Sequence, residues 1–528
     1  MWGIVSPAWC ASVPPIRPSR SRRRTHPPPP TWRRSSPAKG STTPPARPCR
    51  PRSWRRRSPS PTRSLRSRAN SPTSSTPPSC RSPFRDPPAP HGCRTFWEES
   101  MRTTAAVALT CSLLLSAPAA FGASFALSEN GARAQGMAGA YVGQADDASA
   151  AWYNPAGLVR TPAGGTVSLG GNLFIPAISA DDVRGVRTNP GDSAHATGEA
   201  GATPMTPLGY ASLRAGDRVA FGLGANTPFG LSVDWADNAF VRYQSAFAEL
   251  RTFFITPAVG VRLTDWLSVG LGVSYIYADA ELERKILFAG PPLAPPEDGT
   301  FRLGGKTNDW AYNAGAQVVL ARDKGKLDQL TLGVTYHSAV VLDFKTADSS
   351  VNFTVPAAFV STFPDSPAST TIDLPDVWTV GLSAALNNRT TVNFDVQHFG
   401  WSTFEGLGIE AENPATQAVI SPVVRDYEDT VAIRLGGEHW LNDTWAVRAG
   451  YAFDQTPIPD KTLDSLLPDA DRHFAHLGVG YRDGSFGVDA AYTAVFFEGI
   501  STTTNSEGHN FAYDSFSHIV TLAFNYHF

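Results

Sequence analysis

From about residue 163 onward, apolar and polar positions alternate along the chain with a period of two. Residues 267–277 carry leucine, valine or tyrosine at every odd position, with glycine or serine between most of them. The same alternation returns in 445–453 and in 516–528. Because successive side chains of an extended strand point to opposite faces, each segment places one face in an apolar medium and the other in a polar one.

This alternation predicts 14 strands, at 165–176, 206–215, 217–226, 249–262, 266–286, 300–321, 328–345, 376–386, 390–403, 429–440, 443–453, 473–482, 485–498 and 515–528. The links between them alternate strictly between long and tight, a pattern typical of bacterial transmembrane barrels with short periplasmic turns and long outer loops. In lipid only a closed sheet satisfies every backbone group. The sequence therefore predicts an all-β fold, a 14-stranded antiparallel transmembrane β-barrel over residues 163–528.

The first hundred residues have a different composition from the rest. They hold 20 basic and 3 acidic residues, a net charge of +17, which leaves −19 for the remainder of a chain whose total is −2. Runs rich in arginine, proline and serine lack apolar periodicity, so we expect residues 1–100 to be a disordered extension. A nucleic-acid-binding tail is the alternative. We favour a mis-assigned start and no nucleic-acid partner, because a complete export signal follows.

That export signal occupies residues 101–123. A basic start at Arg102 precedes an apolar run too short to span a bilayer as a helix, and small residues follow it. Cleavage after Gly122 or Ala123 would begin the mature chain near Ser124. Every cysteine lies before that point, at Cys10, Cys49, Cys80, Cys93 and Cys111. The mature protein therefore has no disulfide, and we expect it in the outer membrane of a Gram-negative bacterium.

Residues 124–162, called here the N-terminal segment, show no strand pattern and are rich in glycine and other small residues. Asn154-Pro155-Ala156 near its end resembles the hatch of the FadL family of outer-membrane long-chain fatty acid transport proteins. Further segments resemble that family in the same order: Gly136 to Ala140, Asn226 to Leu231, Leu374 to Trp378, Asp395 to Trp401, Arg434 to Gly436 and Arg448 to Pro459. The likeness covers nearly all of residues 124–528 and none of residues 1–100.

The resemblance implies a 14-stranded barrel with an N-terminal hatch inside the lumen, in agreement with the strand count. It also implies transport of long-chain fatty acids or other hydrophobic small molecules by a monomer surrounded by outer-membrane lipids. Ligand binding would shift the hatch, and the substrate would leave sideways where the third strand kinks. Gly222 and Gly224 are the predicted bend points, and Asn154 is expected to contact both the wall and the ligand.

A fatty acid needs an apolar groove and a cation for its carboxylate. Ala236, Phe240, Tyr243 and Phe247 have the spacing of one helix face, and the family implies a landing site in this outer loop. A loop helix packed on the rim is the alternative. Strand parity points Arg434 and Arg448 into the lumen as cations for the carboxylate. They could equally pair with inward acids such as Glu438 and Asp395 and only brace the wall.

Other functions fit the sequence less well. His473 and His476 fall on opposite faces of one strand, so they cannot form one catalytic or metal site, and we expect no enzyme activity, metal or cofactor. The glycine clusters miss the spacing of a phosphate-binding loop. The remaining alternatives are uptake of aromatic hydrocarbons by the same mechanism and an unselective porin or structural barrel. The apolar lining needed for acyl and aromatic cargo is the same.

Overall fold

The computed structural model describes residues 124–182, 195–199, 205–290, 293–420, 423–502, 505 and 511–528. The predictions for residues 1–100 and for the signal peptide at 101–123 lie outside these ranges. The wall consists of 14 strands, β1 to β14, at Gly165–Asp182, Met205–Ala215, Val219–Asn226, Phe247–Arg262, Leu267–Gly290, Leu293–Lys324, Leu327–His337, Val377–Leu386, Thr390–Phe399, Thr430–Trp440, Trp445–Asp454, Arg472–Asp483, Phe486–Phe497 and Phe511–His527.

Each wall strand pairs antiparallel with its chain neighbour, and the sheet closes on itself. The closing seam joins β14 to β1 from Thr166 opposite His527 to Asp182 opposite Phe511. Closure removes the unpaired strand edges that lipid could not satisfy. The prediction of a closed 14-stranded antiparallel barrel is confirmed.

Side chains alternate between the two faces of the wall as the period of two predicts. In β11, Trp445, Val447 and Tyr451 are exposed on the outside, whereas Arg448 and Ala452 are buried in the lumen. The exposed apolar side chains of the other strands continue this outer belt. The outward face is therefore apolar and suited to lipid, and the inward face carries the polar and small residues.

Six tight turns lie at one end of the barrel, for example at Gly216 and Gly484, whose positive φ angles of 82° and 56° suit glycine. The other end carries the long connections. These contain short strands at His195–Glu199, Gly230–Trp235, Val340–Phe344, Ser349–Thr354, Ser366–Leu374, Gly406–Leu407, Glu410–Ala411, Val423–Val424 and Ile500–Ser501. They also contain 3₁₀ turns at Phe240–Tyr243, Ala357–Phe359 and Trp401–Thr403, and a helix at Pro414–Gln417. A further 3₁₀ turn, Asn387–Arg389, lies at the tight-turn end.

One predicted long link is mostly strand. Residues 287–299 were expected to form a loop, but β5 and β6 run through this region as a tall hairpin. Polar side chains bridge the hairpin, with Arg302 of β6 donating to Glu283 of β5 at 2.8 Å and Lys285 of β5 donating to Thr300 of β6 at 3.3 Å. Such cross-strand pairs add support to a ladder that extends above the apolar belt, and simple alternation of apolar residues does not reveal them.

The N-terminal segment lies inside the barrel. It contains helices α1 (Ala132–Gln135) and α2 (Ala150–Tyr153), followed by a 3₁₀ helix at Pro155–Arg160. Helix α1 contacts β12, β13 and β14, whereas the 3₁₀ helix contacts β3 to β6 on another part of the wall. Most of the segment is buried, so it forms a core inside the lumen.

Among the described residues, no helix has the length and apolar character required to cross a membrane.

Candidate functional site

Asn154 fixes the end of the N-terminal segment to the wall. Its backbone is extended (φ −165°, ψ 102°), as expected for a residue before proline. The side-chain oxygen accepts a hydrogen bond from Ala156 N at 3.1 Å and so caps the 3₁₀ helix. The side-chain amide donates to Val142 O at 3.0 Å and to Ala316 O of β6 at 3.2 Å. The predicted contact of Asn154 with the wall is therefore present.

Wall glycines make room for this segment. A Cβ at Gly222 of β3 would lie 2.8 Å from Leu158 and 3.1 Å from Ala151. A Cβ at Gly315 of β6 would overlap the Asn154 side chain and lie 3.1 Å from Pro155. The absence of side chains on the wall thus allows the N-terminal segment to approach the backbone closely.

Asp395 of β9 holds the middle of the N-terminal segment. Its fully buried carboxylate accepts hydrogen bonds from the backbone N–H groups of Tyr141 at 2.8 Å and Val142 at 3.0 Å. A charged acceptor makes such bonds stronger than a neutral one. The sequence suggested Asp395 as an inward acid that pairs with an arginine, whereas its hydrogen-bond partners are these two backbone amides.

A buried ion-pair network joins the N-terminal segment to the wall near the tight-turn end. Arg133 of α1 donates two hydrogen bonds to Glu438 of β10, at 2.9 and 2.8 Å. Arg448 of β11 donates to Glu438 at 2.7 Å and to Asp489 of β13 at 2.7 Å. Arg133 also pairs with Asp146 at 2.8 Å. The predicted alternative, in which Arg448 braces the lumen by pairing with Glu438, is present.

Arg434 of β10 also points inward and is 1 % exposed. Its guanidinium pairs with Asp454 of β11 at 2.9 Å and donates to Gln397 at 2.5 Å and to Ala138 O at 3.2 Å. Asp454 therefore takes the place that the sequence analysis gave to Asp395. Parity could have identified it, because Asp454 lies on the same inward face of β11 as Arg448.

A cavity of about 890 Å³, including its open mouth, lies between the N-terminal segment and the wall. We call it the lower cavity. Arg434 and Asp454 line it together with apolar and aromatic side chains. Those side chains include Leu127, Trp152, Phe229, Phe254, Val377 and Phe399. The arrangement offers an apolar volume with one balanced pair of charges at its boundary.

A second cavity of about 750 Å³, the upper cavity, lies toward the long connections. Its exposed surface is mainly apolar and includes Leu231, Leu250, Ala280, Leu282, Leu303, Phe344 and Ile372, with Glu249 and Glu281 also in the lining. Arg425, which pairs with Asp464 at 2.5 Å, is the basic residue at its boundary. Arg448 instead lines a polar cavity at the tight-turn end. Of the two predicted cations, only Arg434 therefore lies beside a largely apolar cavity.

Five aromatic residues stand at the boundary between the two cavities. The Phe125 ring packs edge-on against Trp401 at 4.7 Å, Phe404 at 5.7 Å and Phe229 at 6.3 Å between ring centroids. Tyr427 packs against Trp401 and Phe404. Phe125 lines the upper cavity and its neighbours Ala126 and Leu127 line the lower one. We call this group the aromatic cluster.

The start of the described chain is anchored beside this cluster. Ser124 N donates to the carboxylate of Asp469, in the connection between β11 and β12, at 3.1 Å. Thr456 donates to the same carboxylate at 2.7 Å. Burial raises the pKa of Asp469, although Arg472 and these hydrogen bonds oppose the rise. The first residues of the N-terminal segment are therefore held by specific polar contacts as well as by the Phe125 ring.

The third wall strand is interrupted after Asn226. Asn226 lies opposite Phe254 and Gly230 lies opposite Arg251, so the strand carries one extra residue here. Pro228 cannot donate a ladder hydrogen bond. The predicted bend points Gly222 and Gly224 lie instead in a regular part of the ladder, before the interruption.

The N-terminal segment pairs with this interruption in place of β2. Leu127 N donates to Pro228 O, and Gly230 N donates to Phe125 O, both at 2.8 Å. In the described residues the ladder between β2 and β3 ends at Gly209 opposite Ala225. The wall therefore has a lateral discontinuity here, closed from inside by residues 125–127.

The outer-loop prediction is corrected. Only Phe240–Tyr243 form a helical turn, and Phe247 begins β4 opposite Glu283. The three aromatic residues therefore do not share one helix face. Phe240 is 6 % exposed and packs on Phe511 at 5.0 Å, while Tyr243 donates to Asp298. Strand pairing with β5 outweighs the helical spacing, because a helical turn this short has little stability of its own.

The family model described as "Outer membrane protein transport protein (OMPP1/FadL/TodX)" matches residues 113–528. The chain belongs to this family. It is an outer-membrane transmembrane β-barrel of a Gram-negative type, and its tight turns are the periplasmic ones. The family that the sequence resemblance indicated is thereby confirmed.

Individual members are similar over most of the chain. The "Long-chain fatty acid transport protein" of Salmonella typhi is 25% identical over 82% of this chain and 100% of its own length. "Outer membrane protein P1" of Haemophilus influenzae is 25% identical over 73% of this chain and 88% of its own. The structure of a Pseudomonas aeruginosa FadL homologue superposes with a TM-score of 0.66 at 22% identity, over 77% of this chain and 100% of that one.

A toluene transporter has the same fold. The structure of Ralstonia pickettii TbuX superposes with a TM-score of 0.55 at 17% identity, over 78% of this chain and 98% of that one. At this identity the likeness shows a shared fold only. Evidence about the cargo has to come from the residues that line the cavities.

Sequence reasoning missed three parts of this FadL-type site: Arg425, the aromatic cluster and the strand interruption after Asn226. Arg425 lies in a connection without regular period, so no pattern marked it. The aromatic cluster combines residues far apart in the chain, such as Phe125 and Trp401, which only the closed barrel brings together. Pro228 lies in one of the segments that resemble the family and could have indicated the interruption, because proline is rare inside a paired strand.

Proposed function

We propose that this FadL-family protein carries long-chain fatty acids, or hydrophobic small molecules of similar size, across the outer membrane without converting them chemically. The observation that carries the proposal is the succession of two largely apolar cavities along the lumen, separated by the aromatic cluster. Apolar walls with a few placed polar groups are typical of sites for hydrophobic ligands. Membership in a family of outer-membrane transport proteins also supports a role in transport.

The proposed route begins in the upper cavity, which lies toward the cell exterior. Movement of Phe125 away from Trp401 and Phe404 would join this cavity to the lower one. From there the cargo would leave sideways at the interruption in β3, where residues 125–127 close the wall. A sideways exit suits an apolar cargo, because the cavity at the periplasmic end is polar and lined by Arg448 and Asp489.

We assign the carboxylate of a fatty acid to the cations at the cavity boundaries. Arg425 would meet it in the upper cavity and Arg434 in the lower one, each exchanging part of its contact with Asp464 or Asp454. A planar guanidinium can hold two carboxylates through different nitrogen atoms. Arg448 is assigned to bracing, because Glu438 and Asp489 both engage it.

The competing cargo is an aromatic hydrocarbon, which would use the same apolar lining and need no cation. The two cargoes are separated by Arg425→Gln combined with Arg434→Gln. A fatty acid carrier should lose oleate binding and keep toluene binding, as measured by displacement of a fluorescent hydrophobe from the purified protein. A hydrocarbon carrier should bind toluene more tightly than oleate before and after the substitutions.

The cavity itself is tested by Ala280→Trp, which fills the upper cavity from β5. We expect oleate uptake to fall at least about tenfold in a strain without another carrier, because the large ring removes most of the binding volume. Leu271→Trp on the same strand is the matched control, since Leu271 is 49% exposed toward lipid. Both variants should show the same heat-dependent gel mobility as the unmodified barrel. Unchanged uptake by a folded Ala280→Trp variant would refute the proposed route.

We further propose that the transporter works as a monomer in contact with outer-membrane lipids. Closure of the wall pairs its first and last strands, β1 and β14, with each other rather than with a second copy. Native mass spectrometry of the protein extracted in mild detergent would test this, and a stable dimer would contradict it.

A further inference from the structure

Three arginines surround a polar cavity at the periplasmic mouth of the barrel. Arg160 ends the 3₁₀ helix of the N-terminal segment, Arg262 ends β4, and Arg322 lies near the end of β6. All three line one cavity of about 470 Å³. The cavity lies apart from the upper and lower cavities, and no part of the proposed transport route uses it.

None of these arginines forms a direct ion pair with an acid among the described residues. Within the part of the chain that the structure describes, no carboxylate oxygen lies within 4.0 Å of their nitrogen atoms. Asp265 also lines the cavity, but only its backbone carbonyl is engaged, accepting a hydrogen bond from Arg322 at 2.6 Å. The cavity therefore collects three positive charges and one exposed carboxylate at the tip of a turn.

The arginines keep most of their donors free for a ligand. Arg262 donates through one nitrogen to Val159 O at 2.9 Å. Arg160 uses one terminal nitrogen for long contacts to Gln317 at 3.2 Å and Thr331 at 3.4 Å. Each guanidinium has five N–H groups, so many donors around this cavity have no acceptor among the described residues.

Like charges in a confined space repel one another, and an arrangement of this kind is stabilised when an anion enters it. Burial is the main cause that lowers the pKa of Arg160; the charges of Arg262 and Arg322 lower it further, whereas Asp146 and Tyr141 oppose the change. The remaining lining is also polar, with Ser268 and Gln317 available to donate or accept hydrogen bonds. A small oxyanion fits this chemistry better than an acyl chain does.

We propose that Arg160, Arg262 and Arg322 form a binding site for a phosphate-type oxyanion at the periplasmic mouth. The phosphate can belong to a phospholipid headgroup of the periplasmic leaflet or be free in the periplasm. Arginine forks match phosphate oxygens in pairs. Trp266, which is 54 % exposed, also lines the cavity, so the site reaches the interfacial rim where headgroups lie.

Such an anion would also link two parts of the molecule. Arg160 belongs to the N-terminal segment, whereas Arg262 and Arg322 belong to the wall. A bound phosphate would therefore add a bridge between them, on the side of the lumen opposite the network of Arg133, Glu438 and Arg448. The site would hold the end of the N-terminal segment in place while its beginning moves.

The first experimental arm titrates inorganic phosphate into the barrel purified from outer membranes in a non-ionic detergent, using calorimetry at constant ionic strength. The second arm places the barrel in nanodiscs of phosphatidylcholine with or without phosphatidylglycerol, and native mass spectrometry counts the retained anionic lipids. Binding in the first arm identifies free phosphate as a ligand, and selective retention in the second identifies the headgroup.

The variants are Arg160→Gln and Arg322→Gln, with Arg389→Gln as the matched control. Arg389 lies in another periplasmic turn, is half exposed, and donates to Leu441 O. We expect each of the first two substitutions to weaken binding at least about tenfold, as loss of a charge-assisted contact would, and the control to change nothing. Arg160→Lys should retain part of the affinity.

Two results would overturn the site. One is the absence of binding in both arms at millimolar phosphate and in nanodiscs rich in phosphatidylglycerol. The other is binding that Arg160→Gln and Arg322→Gln leave unchanged. Arg322 is exposed and outside the core, so its variant should fold and keep the test decisive even where Arg160→Gln lowers the yield.

Discussion

The two ends of the lumen hold the N-terminal segment by different physical means. Near the exterior, Phe125 packs among aromatic rings beside two apolar cavities. Near the periplasm, Arg133 is locked to Glu438 by two charge-assisted hydrogen bonds, and Arg448 joins the same carboxylate. Apolar contacts are non-directional and adjust to a moved partner, whereas buried ion pairs tolerate little displacement.

This difference indicates which end can move. A cargo that is itself apolar can replace the contacts of Phe125 with contacts of its own. It cannot replace Glu438 as the partner of two buried arginines. The exterior half of the lumen is therefore suited to exchange between segment and cargo, and the periplasmic half to closure.

The largest effect should come from Glu438→Gln. The change leaves Arg133 and Arg448 without their shared counter-charge, and breaking a buried pair on one side costs about 3–5 kcal/mol. The free energy of unfolding, measured by urea titration of the barrel in phospholipid vesicles, should fall by that amount. A loss below about 1 kcal/mol would show that the periplasmic half does not depend on this network.

Phe125→Ala should have the second largest effect. Removal of a packed phenylalanine ring costs about 3–5 kcal/mol in a closed core, but two cavities already adjoin this ring, so we expect about 2–3 kcal/mol. The same urea titration measures it, and hydrogen exchange at Ala126 and Leu127 should accelerate. Slow exchange in the variant would mean that the polar anchor at Ser124 and Asp469 suffices to hold the start of the segment.

Asp395→Asn should have a smaller effect on stability than Phe125→Ala. The asparagine oxygen can still accept from Tyr141 N and Val142 N, so the loss is that between a charged and a neutral acceptor, about 1–2 kcal/mol. Hydrogen exchange at these two amides, followed by mass spectrometry, gives the measurement. Asp395→Ala is the harsher comparison, and exchange in both variants as slow as in the unmodified protein would exclude the carboxylate as the anchor.

Asp443→Asn should have the smallest effect. Asp443 pairs with Arg389 at 3.5 Å in a periplasmic turn, and its side chain is 99 % exposed. Exposed pairs contribute about 0–1 kcal/mol, so this variant is the matched control for Glu438→Gln. A loss as large as that of Glu438→Gln would mean that burial does not explain the difference between the two acids.

The wall was predictable because lipid imposes one rule on every strand. Alternation indicated the 14 strands and placed Arg434 and Arg448 in the lumen, since a lipid-facing charge is costly near the middle of the bilayer. The lumen follows no such period. Arg434 pairs with Asp454 rather than Asp395, and Phe240 is buried rather than presented outward, because these outcomes depend on contacts between distant parts of the chain.

The seam between β1 and β14 joins parts of the chain that are far apart in sequence. Gly165 and Phe528 exchange backbone hydrogen bonds at 2.9 Å, so residues more than 360 apart in sequence meet at the joint. Contacts of such long range are expected to form late, because closing a long loop costs conformational entropy before the contacts stabilise the structure. The N-terminal segment must therefore enter the lumen before β1 pairs with β14 or while they pair. We therefore expect closure of the barrel wall to be coupled to placement of the N-terminal segment in the lumen.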